Sequence, residues 1–355
     1  MEFFLIFILP FAGMLATVVV IHELGHFMTA KFFDIHVEEF GLGFPPKLMG
    51  FRRGETLYSI NLLPLGGFVR LAGENDDTGP RSFGAKGTGI RFLVLVAGPL
   101  MNLILPIVIF AIFFMVPQDV VVGDVTVAEV MPNSPASNAN IEPGDIIEYV
   151  NGHKMENLND LRETIMLNLG SEMIWQVRYG LGTDTVLVVP RWNWPEGQGP
   201  TGIGIFMANV SVVSQSEPPW TAVPHAFIRV SHIMVLMKNE ITRLLIIRGA
   251  PQITGPIGIA QVTGEVAREG GLASVIVLAA IISISLAILN ILPIPALDGG
   301  RILFVIIEWA RRGKRISPKK EGLVHMIGFA TLISLVVFVS YYDILRIVQG
   351  ESLLH

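Results

Sequence analysis

The run His22-Glu23-Leu24-Gly25-His26 sets two imidazoles four residues apart with a carboxylate between them. Residues i and i+4 share one face of a helix, so both rings can reach a single zinc ion while Glu23 acts on water activated by that ion. Matches of this form arise by chance in on the order of one chain in a hundred of this length, and the context narrows the odds further. The motif closes a stretch, residues 3–22, that holds no Asp, Glu, Lys or Arg, and ionisable groups in or beside such a span are costly and functional by default. The plain alternative is a helix end whose polar residues meet the membrane interface.

A catalytic zinc takes three protein ligands and keeps one position open. An extended His-rich pattern that would supply the third locally is absent, because Thr29 and Phe32 stand where its Gly and His would be. His36 and Asp34 lie close in sequence but in a polar loop. Asp298 directly follows 26 residues without a formal charge, next to Pro293 and Pro295. Broken backbone at membrane depth is tolerated where it is buried in protein or lines a cavity, and a carboxylate there needs a compensating partner. Zinc with two imidazoles is such a partner; capping the following helix or pairing with Arg301 is the alternative.

The elements that must carry these residues follow from composition. Of 355 residues, 51% are hydrophobic and 15% charged, against about 25% charged in a typical soluble domain, so lipid is the expected solvent. Net charge is −5, which gives no reason to expect nucleic acid, and the absence of cysteine excludes disulfides and thiolate chemistry. Charge-free stretches at 3–22, 92–118, 272–297 and 322–342 each suffice to cross a bilayer, which takes about 20 helical residues. The first is expected to be retained: Glu2 is the only charge ahead of it, whereas a signal peptide starts with a positive region. Eight Lys and Arg lie in 31–91 and six more crowd into 311–320, while 118–271 has nine among sixteen Asp and Glu. Short basic loops face the cytoplasm, which places both termini outside. The 311–320 cluster either anchors this topology or binds anionic head groups.

From 121 to 206 the pattern changes to short β-type runs. A turn at Pro143-Gly144-Asp145 leads to a strand at 146–150, followed by the tight-turn pair Asn151-Gly152, a helix at 159–169 and strands at 173–179 and 185–189. The run from Ser134 to Gly152 resembles a PDZ domain of the bacterial protease-associated kind. Such domains bind peptides by adding a strand to a sheet edge; a domain that merely occupies space above the membrane is the other reading. Residues 220–248 have helical amphipathic spacing, suited to the outer leaflet or to packing on the preceding domain. The segment 249–271, with Gly255-Pro256-Ile257-Gly258, reads as a turn-rich connector.

Taken together, His22-Glu23-x-x-His26 and Asn290-x-x-Pro293-x-Pro295-x-Leu297-Asp298-Gly299 resemble the site-2 protease family of intramembrane zinc metalloproteases, and within it the bacterial regulator-of-sigma-E protease group. Phe40 to Lys47, Gly66 to Arg70, Ala97 to Asn102 and Gly255 to Gly258 are further matching pieces. The resemblance implies one zinc per chain held by His22, His26 and Asp298, Glu23 as catalytic base and Asn290 on the substrate. Pro293, Pro295 and Asn102 join it as expected substrate contacts. Two departures stand out: one PDZ-like unit where several relatives have two, and Gly43-Phe-Pro-Pro where Gly-Phe-Gly-Pro is commoner.

The expected fold is thus a polytopic α-helical membrane protein of four transmembrane helices with a membrane-associated β-hairpin or sheet on the inner side and a small α+β PDZ domain outside. The expected divisions are 1–120 (spans about 3–31 and 92–117, inner β-type loop 36–72), 121–206, 207–271, and 272–355 (spans about 272–308 and 322–345). Peptide-bond hydrolysis inside the membrane requires a helical substrate to unwind, and a strand edge would receive its freed backbone. Residues 56–62 have β character, and Tyr58, Ser59 and Ile60 are the expected clamp contacts; a purely structural hairpin is the alternative. The resemblance implies a single-span membrane protein or signal-peptide substrate, such as an anti-sigma factor, in a bacterial inner membrane, with the zinc site toward the cytoplasm and a peptide ligand for the outer domain. The rivals are a metal transporter and an inactive membrane PDZ scaffold.

Overall fold

The computed structural model describes residues 7–73, 79–180, 182–247 and 254–349. The start of the first expected span and Leu181, between the expected strands 173–179 and 185–189, lie outside them. Two compact units emerge, one of residues 1–110 with 253–355 and one of residues 111–252.

The first unit is helical apart from one sheet. α1 (Leu9–Phe32) begins with Pro10 in its first turn, where proline's missing N–H costs nothing. β1 (Val37–Arg53) and β2 (Thr56–Leu71) follow, then α2 (Thr88–Met115), whose C-terminal end runs into the second unit. At 1.5 Å per residue even the 24-residue α1 is about 36 Å long, enough for a hydrocarbon core of ~30 Å.

β1 and β2 are each long enough to fold into two runs. Arg53 pairs with Thr56 and Gly50 with Ser59, so 47–53 lies beside 56–61. Leu57, Tyr58, Ser59 and Ile60 also pair with Glu39, Phe40, Gly41 and Leu42, and those four in turn pair with Arg70, Val69, Phe68 and Gly67. The run 56–62 is therefore interior to the sheet, flanked on both sides, and cannot accept a further strand. The edge runs are 47–53 and 67–71, each paired on one side only among the described residues, and of the two it is 67–71 that borders the cleft lined by Glu23, His26 and Asp298. This corrects the expectation that 56–62 is the clamp: β propensity marks a strand but not its place in the sheet.

The second unit holds β3 (Gln118–Val130), α3 (Pro135–Asn138), β4 (Ile146–Val150), β5 (His153–Lys154), α4 (Leu158–Leu167), β6 (Met173–Tyr179), β7 (Gly182–Val188), β8 (Ile203–Gln215) and α5 (Pro219–Ile247). The sheet runs β7-β6-β4-β3-β8, with β5 on β4. Trp175, Ile147, Leu161, Met173, Val125 and Val127 make its core, and β6 alternates buried and exposed from Met173 to Val177, the period-two signature of a strand with one face covered. Asn157 caps α4 by accepting from the Asp160 N–H. The strand β8 (Ile203–Gln215) runs nine residues beyond the expected end of this domain at 206. α5 packs on α4: Asn239 Nδ2 donates to the Met166 and Leu167 carbonyls at 2.8 and 3.2 Å, and Glu163 pairs with Arg229 and His232. Its opposite side leaves Trp220, Phe227, Ile241 and Leu245 exposed.

Back in the first unit, α6 (Pro256–Ile291), α7 (Asp298–Ala310) and α8 (Pro318–Val348) complete the chain. From Pro256 onward the expected 249–271 connector is helical instead. The buried Asp343 carboxylate of α8 accepts from Gly255 N and Gly258 N at 3.3 and 2.8 Å, supplying the N-terminal acceptors that local sequence lacks. The helix breaks direction at Gly271 (φ 66°, ψ −162°), a conformation closed to residues with a Cβ. A second break, 292–297, divides the expected 272–308 span. Pro293 and Pro295 cannot continue the ladder, and Ala296 takes φ 81° with its N–H held at 2.9 Å by His325 Nδ1.

Candidate active site

Two helices and one loop deliver the chemistry. His22 and His26 project from the same side of α1, and Asp298 is the first residue of α7, placed by the proline break. His22 Nε2 stands 3.0 Å from Asp298 Oδ2, His26 Nε2 stands 3.3 Å from the same oxygen, and the two nitrogens are 3.2 Å apart. Among the described residues this is the one group of three His, Asp or Glu side chains close enough to hold a metal. Donors at the usual ~2.0–2.2 Å from a tetrahedral zinc stand roughly 3.3–3.5 Å from one another, so the triangle fits the ion with little adjustment.

The surroundings fit as well. His26 Nδ1 lies 2.7 Å from the Val94 carbonyl, which can only accept; the ring proton therefore sits on Nδ1 and Nε2 offers its lone pair. Both rings are buried where α2 crosses α1. At Gly25 a Cβ would meet the Ala97 carbonyl carbon at 2.7 Å, and at Gly98 it would meet His22 Nε2 at 2.8 Å. The two glycines let the helices approach and keep space over the donor atoms.

Glu23 faces the same clefts. One, of about 350 Å³, is lined by Glu23, His26, Asp298 and the edge run from Gly67 to Leu71. The other, of about 320 Å³, is lined by His22, Glu23, Gly66, Gly67, Asn290 and Asp298. Thus the edge strand, the general-base candidate and the metal donors share one space, with Asn290 beside them.

The remaining expected contacts are placed differently. Tyr58 stacks on Phe51 with ring centroids 5.3 Å apart, and Ser59 Oγ donates to Glu39 Oε1 at 2.7 Å. With Ile60 these line an apolar pocket of the sheet together with Val20, Phe40 and Met49, not the clefts at the donor triangle. Pro293 is exposed and Pro295 packs under Gly328 of α8; they shape the loop and do not line either cleft. Asn102, in contrast, lines the second cleft, wholly buried and with its amide 3.3 Å from His22 Nδ1. Sequence reasoning missed Gly98, the Val94 carbonyl and the 67–71 edge. The Gly66-Gly67 pair beside a β-type run was the available signal for the last; a backbone carbonyl carries none.

The sequence profile of peptidase family M50 matches residues 10–335. The zinc metalloprotease RasP of Geobacillus kaustophilus is 31% identical, the match covering 95% of this chain and 97% of that one. The regulator of sigma-W protease RasP of Bacillus subtilis is 29% identical, over 96% and 98% of the two chains. A Clostridium acetobutylicum protein provisionally named a zinc metalloprotease is 34% identical over 92% and 94%. With four helices among the described residues long and apolar enough to cross a bilayer and a donor triangle that suits zinc, the chain belongs to peptidase family M50 as an integral-membrane zinc metalloprotease.

Proposed function

We propose that this protein cleaves a peptide bond within or near a transmembrane segment of a protein substrate, with His22, His26 and Asp298 holding the zinc and Glu23 as the base. The observation that carries the reading is the meeting of Glu23, the donor triangle and an unpaired strand edge in one space. Zinc, when bound, supplies Lewis acidity and lowers the pKa of water it binds toward neutrality. Glu23 takes the water proton on a carboxylate oxygen and delivers it to the leaving nitrogen. The edge run 67–71 receives the substrate backbone as an added strand, which offers hydrogen bonds to groups freed when the substrate helix unwinds. Asn290, which lines the adjoining cleft with Gly66 and Gly67, orients that strand.

The basic loops at 31–91 and 311–320 support a cytoplasmic placement of the zinc site, with both termini and the 111–252 unit outside an inner membrane. The sheet of that unit, with α3 and α4, is consistent with the PDZ reading, and its edge strand β8 offers a place for a peptide. A single-span anti-sigma factor or a remnant signal peptide is the proposed substrate class; one relative is named for regulating a sigma factor.

Glu23→Gln tests the core of this reading. In liposomes with a model transmembrane substrate it is expected to keep stoichiometric zinc and lose about 10²–10⁴-fold in cleavage rate. Unchanged cleavage refutes it, and metal flux that survives the substitution favours a transporter. Because the chain has no cysteine, single cysteines at 86 and 184 report sidedness directly; labelling of both from the same side overturns the topology.

A further inference from the structure

His22 can serve as a ligand only if its Nε2 is bare, and a neutral imidazole with bare Nε2 carries its proton on Nδ1. That proton needs an acceptor in a site without room for error. For His26 the Val94 carbonyl supplies one. For His22 the neighbour is the side-chain amide of Asn102, whose nitrogen is 3.3 Å from Nδ1 and whose Oδ1 is buried with no partner among the described residues. A half-turn of the amide exchanges oxygen and nitrogen at almost the same positions. With nitrogen toward the ring, Nδ1 is the acceptor and the proton sits on Nε2, where it blocks coordination. With oxygen toward the ring, the orphaned Oδ1 becomes the acceptor that Nδ1–H requires.

We infer that Asn102 is a positioning residue for the metal site: its Oδ1 accepts from His22 Nδ1–H and thereby fixes the tautomer that leaves Nε2 free for zinc. This rests on the proposed ligand role of His22 and gives Asn102, which lines the second cleft, a role beyond the expected substrate contact. The position is built for the task. Asn102 and Gly98, four residues apart on α2, face the two imidazoles together, and the Asn102 backbone carbonyl accepts from Ser283 Oγ at 2.8 Å, fixing α2 against α6 at this level. Asn102 and Ser283 are both fully buried.

The test compares Asn102→Asp, which offers only acceptors, with Asn102→Leu, which has similar size and none. The full-length protein in detergent is stripped with a chelator and titrated with zinc against a competing chelator. Loss of an outer partner of a metal-binding histidine typically costs 10–100-fold in affinity. Asn102→Leu is expected to lose zinc affinity by that factor, and Asn102→Asp to stay within about threefold of the wild type. In parallel, ¹⁵N-histidine spectra are expected to keep the Nδ1–H signal of His22 in the Asp variant and to lose it in the Leu variant. Ser283→Ala perturbs the same helix contact without touching the amide and is expected to bind zinc normally. Wild-type zinc affinity in Asn102→Leu overturns the inference, as does an equal loss in Ser283→Ala, which would mark a packing effect. If Asn102→Leu does not fold, failure of the Asp variant to hold zinc overturns it. His22→Ala separates the two levels: stoichiometric zinc there refutes the ligand reading itself, independent of Asn102.

Discussion

Adding one methyl group at Gly98 probes the site without altering any of its functional groups. A Cβ built there would lie 2.6 Å from His26 Cε1 and 2.8 Å from His22 Nε2, whereas unbonded heavy atoms settle at about 3.5–4.0 Å. Each ring must yield by about 1 Å. The three donor atoms stand only 3.0–3.3 Å apart, and functional constellations tolerate displacements of ~0.5 Å. The methyl also occupies space next to the nitrogens proposed to bind zinc. Gly98→Ala is therefore expected to weaken zinc binding at least 100-fold, about 2.7 kcal/mol, at or beyond the upper end of an outer-partner loss. Alanine's higher helix propensity returns up to ~1 kcal/mol to folding, so zinc affinity should fall more than the stability of the chelator-treated protein does. The assay is zinc titration against a competing chelator, with thermal melting of the stripped protein alongside. Gly25→Ala is the control: its Cβ would meet the Ala97 carbonyl carbon at 2.7 Å and Met101 Cγ at 2.8 Å, forcing the two helices apart, and should lower Tm with or without zinc. Zinc affinity of Gly98→Ala within threefold of the wild type would show that α2 does not press on the donor atoms and would refute the geometric argument.

Other substitutions test the supports. Arg91 and Glu308 form a buried pair, with 5% and 10% of their side chains exposed; Glu308→Leu alone should destabilise by about 3–5 kcal/mol in denaturant titration, and the double variant Arg91→Met, Glu308→Leu should recover most of that. Asp343→Ala leaves Gly255 N, Gly258 N and Arg346 without their carboxylate and is expected to cost about 2–4 kcal/mol, read as a lower Tm. Proline at 69 should cut cleavage at least tenfold while zinc stays stoichiometric if the 67–71 edge takes substrate; normal cleavage counts against the clamp. At the C-terminal end of α1, hydrogen bonds from Arg81 and then Lys31 hold the Glu55 carboxyl well below the usual carboxylate range. A carboxyl whose folded pKa is depressed stabilises above its unfolded value of about 4.3 and loses that contribution as pH falls through the folded value. The urea midpoint difference between wild type and Glu55→Gln should therefore shrink below about pH 4, and a difference that grows on acidification would contradict the assignment.

The division between sequence and structure is visible in particular residues. Four apolar stretches, the i, i+4 histidines with Glu23 between them, and the strands at 146–150 and 173–179 depend on local periodicity and composition, so the sequence alone located them. The metal triangle is partly local: His22 and His26 share a helix face by spacing, while Asp298 stood out only because a carboxylate after a long apolar run needs a partner. Its distance from His22 required α7 to start where the prolines end α6, 276 residues along the chain. The sheet edge was beyond reach. Residues 56–62 and 67–71 both read as strand, and which one keeps a free side depends on pairing with 39–42 and 47–53. Residues 256–270 looked like a connector because Gly and Pro are local helix breakers, yet the Asp343 carboxylate from α8 caps them into a helix. The neighbour of Asn102 was also decided in three dimensions, since a buried amide meets whatever ring the packing of α2 against α1 sets beside it. Periodicity and propensity are properties of neighbours in the chain, whereas edges, distant caps and the tautomer of a ligand are properties of neighbours in space.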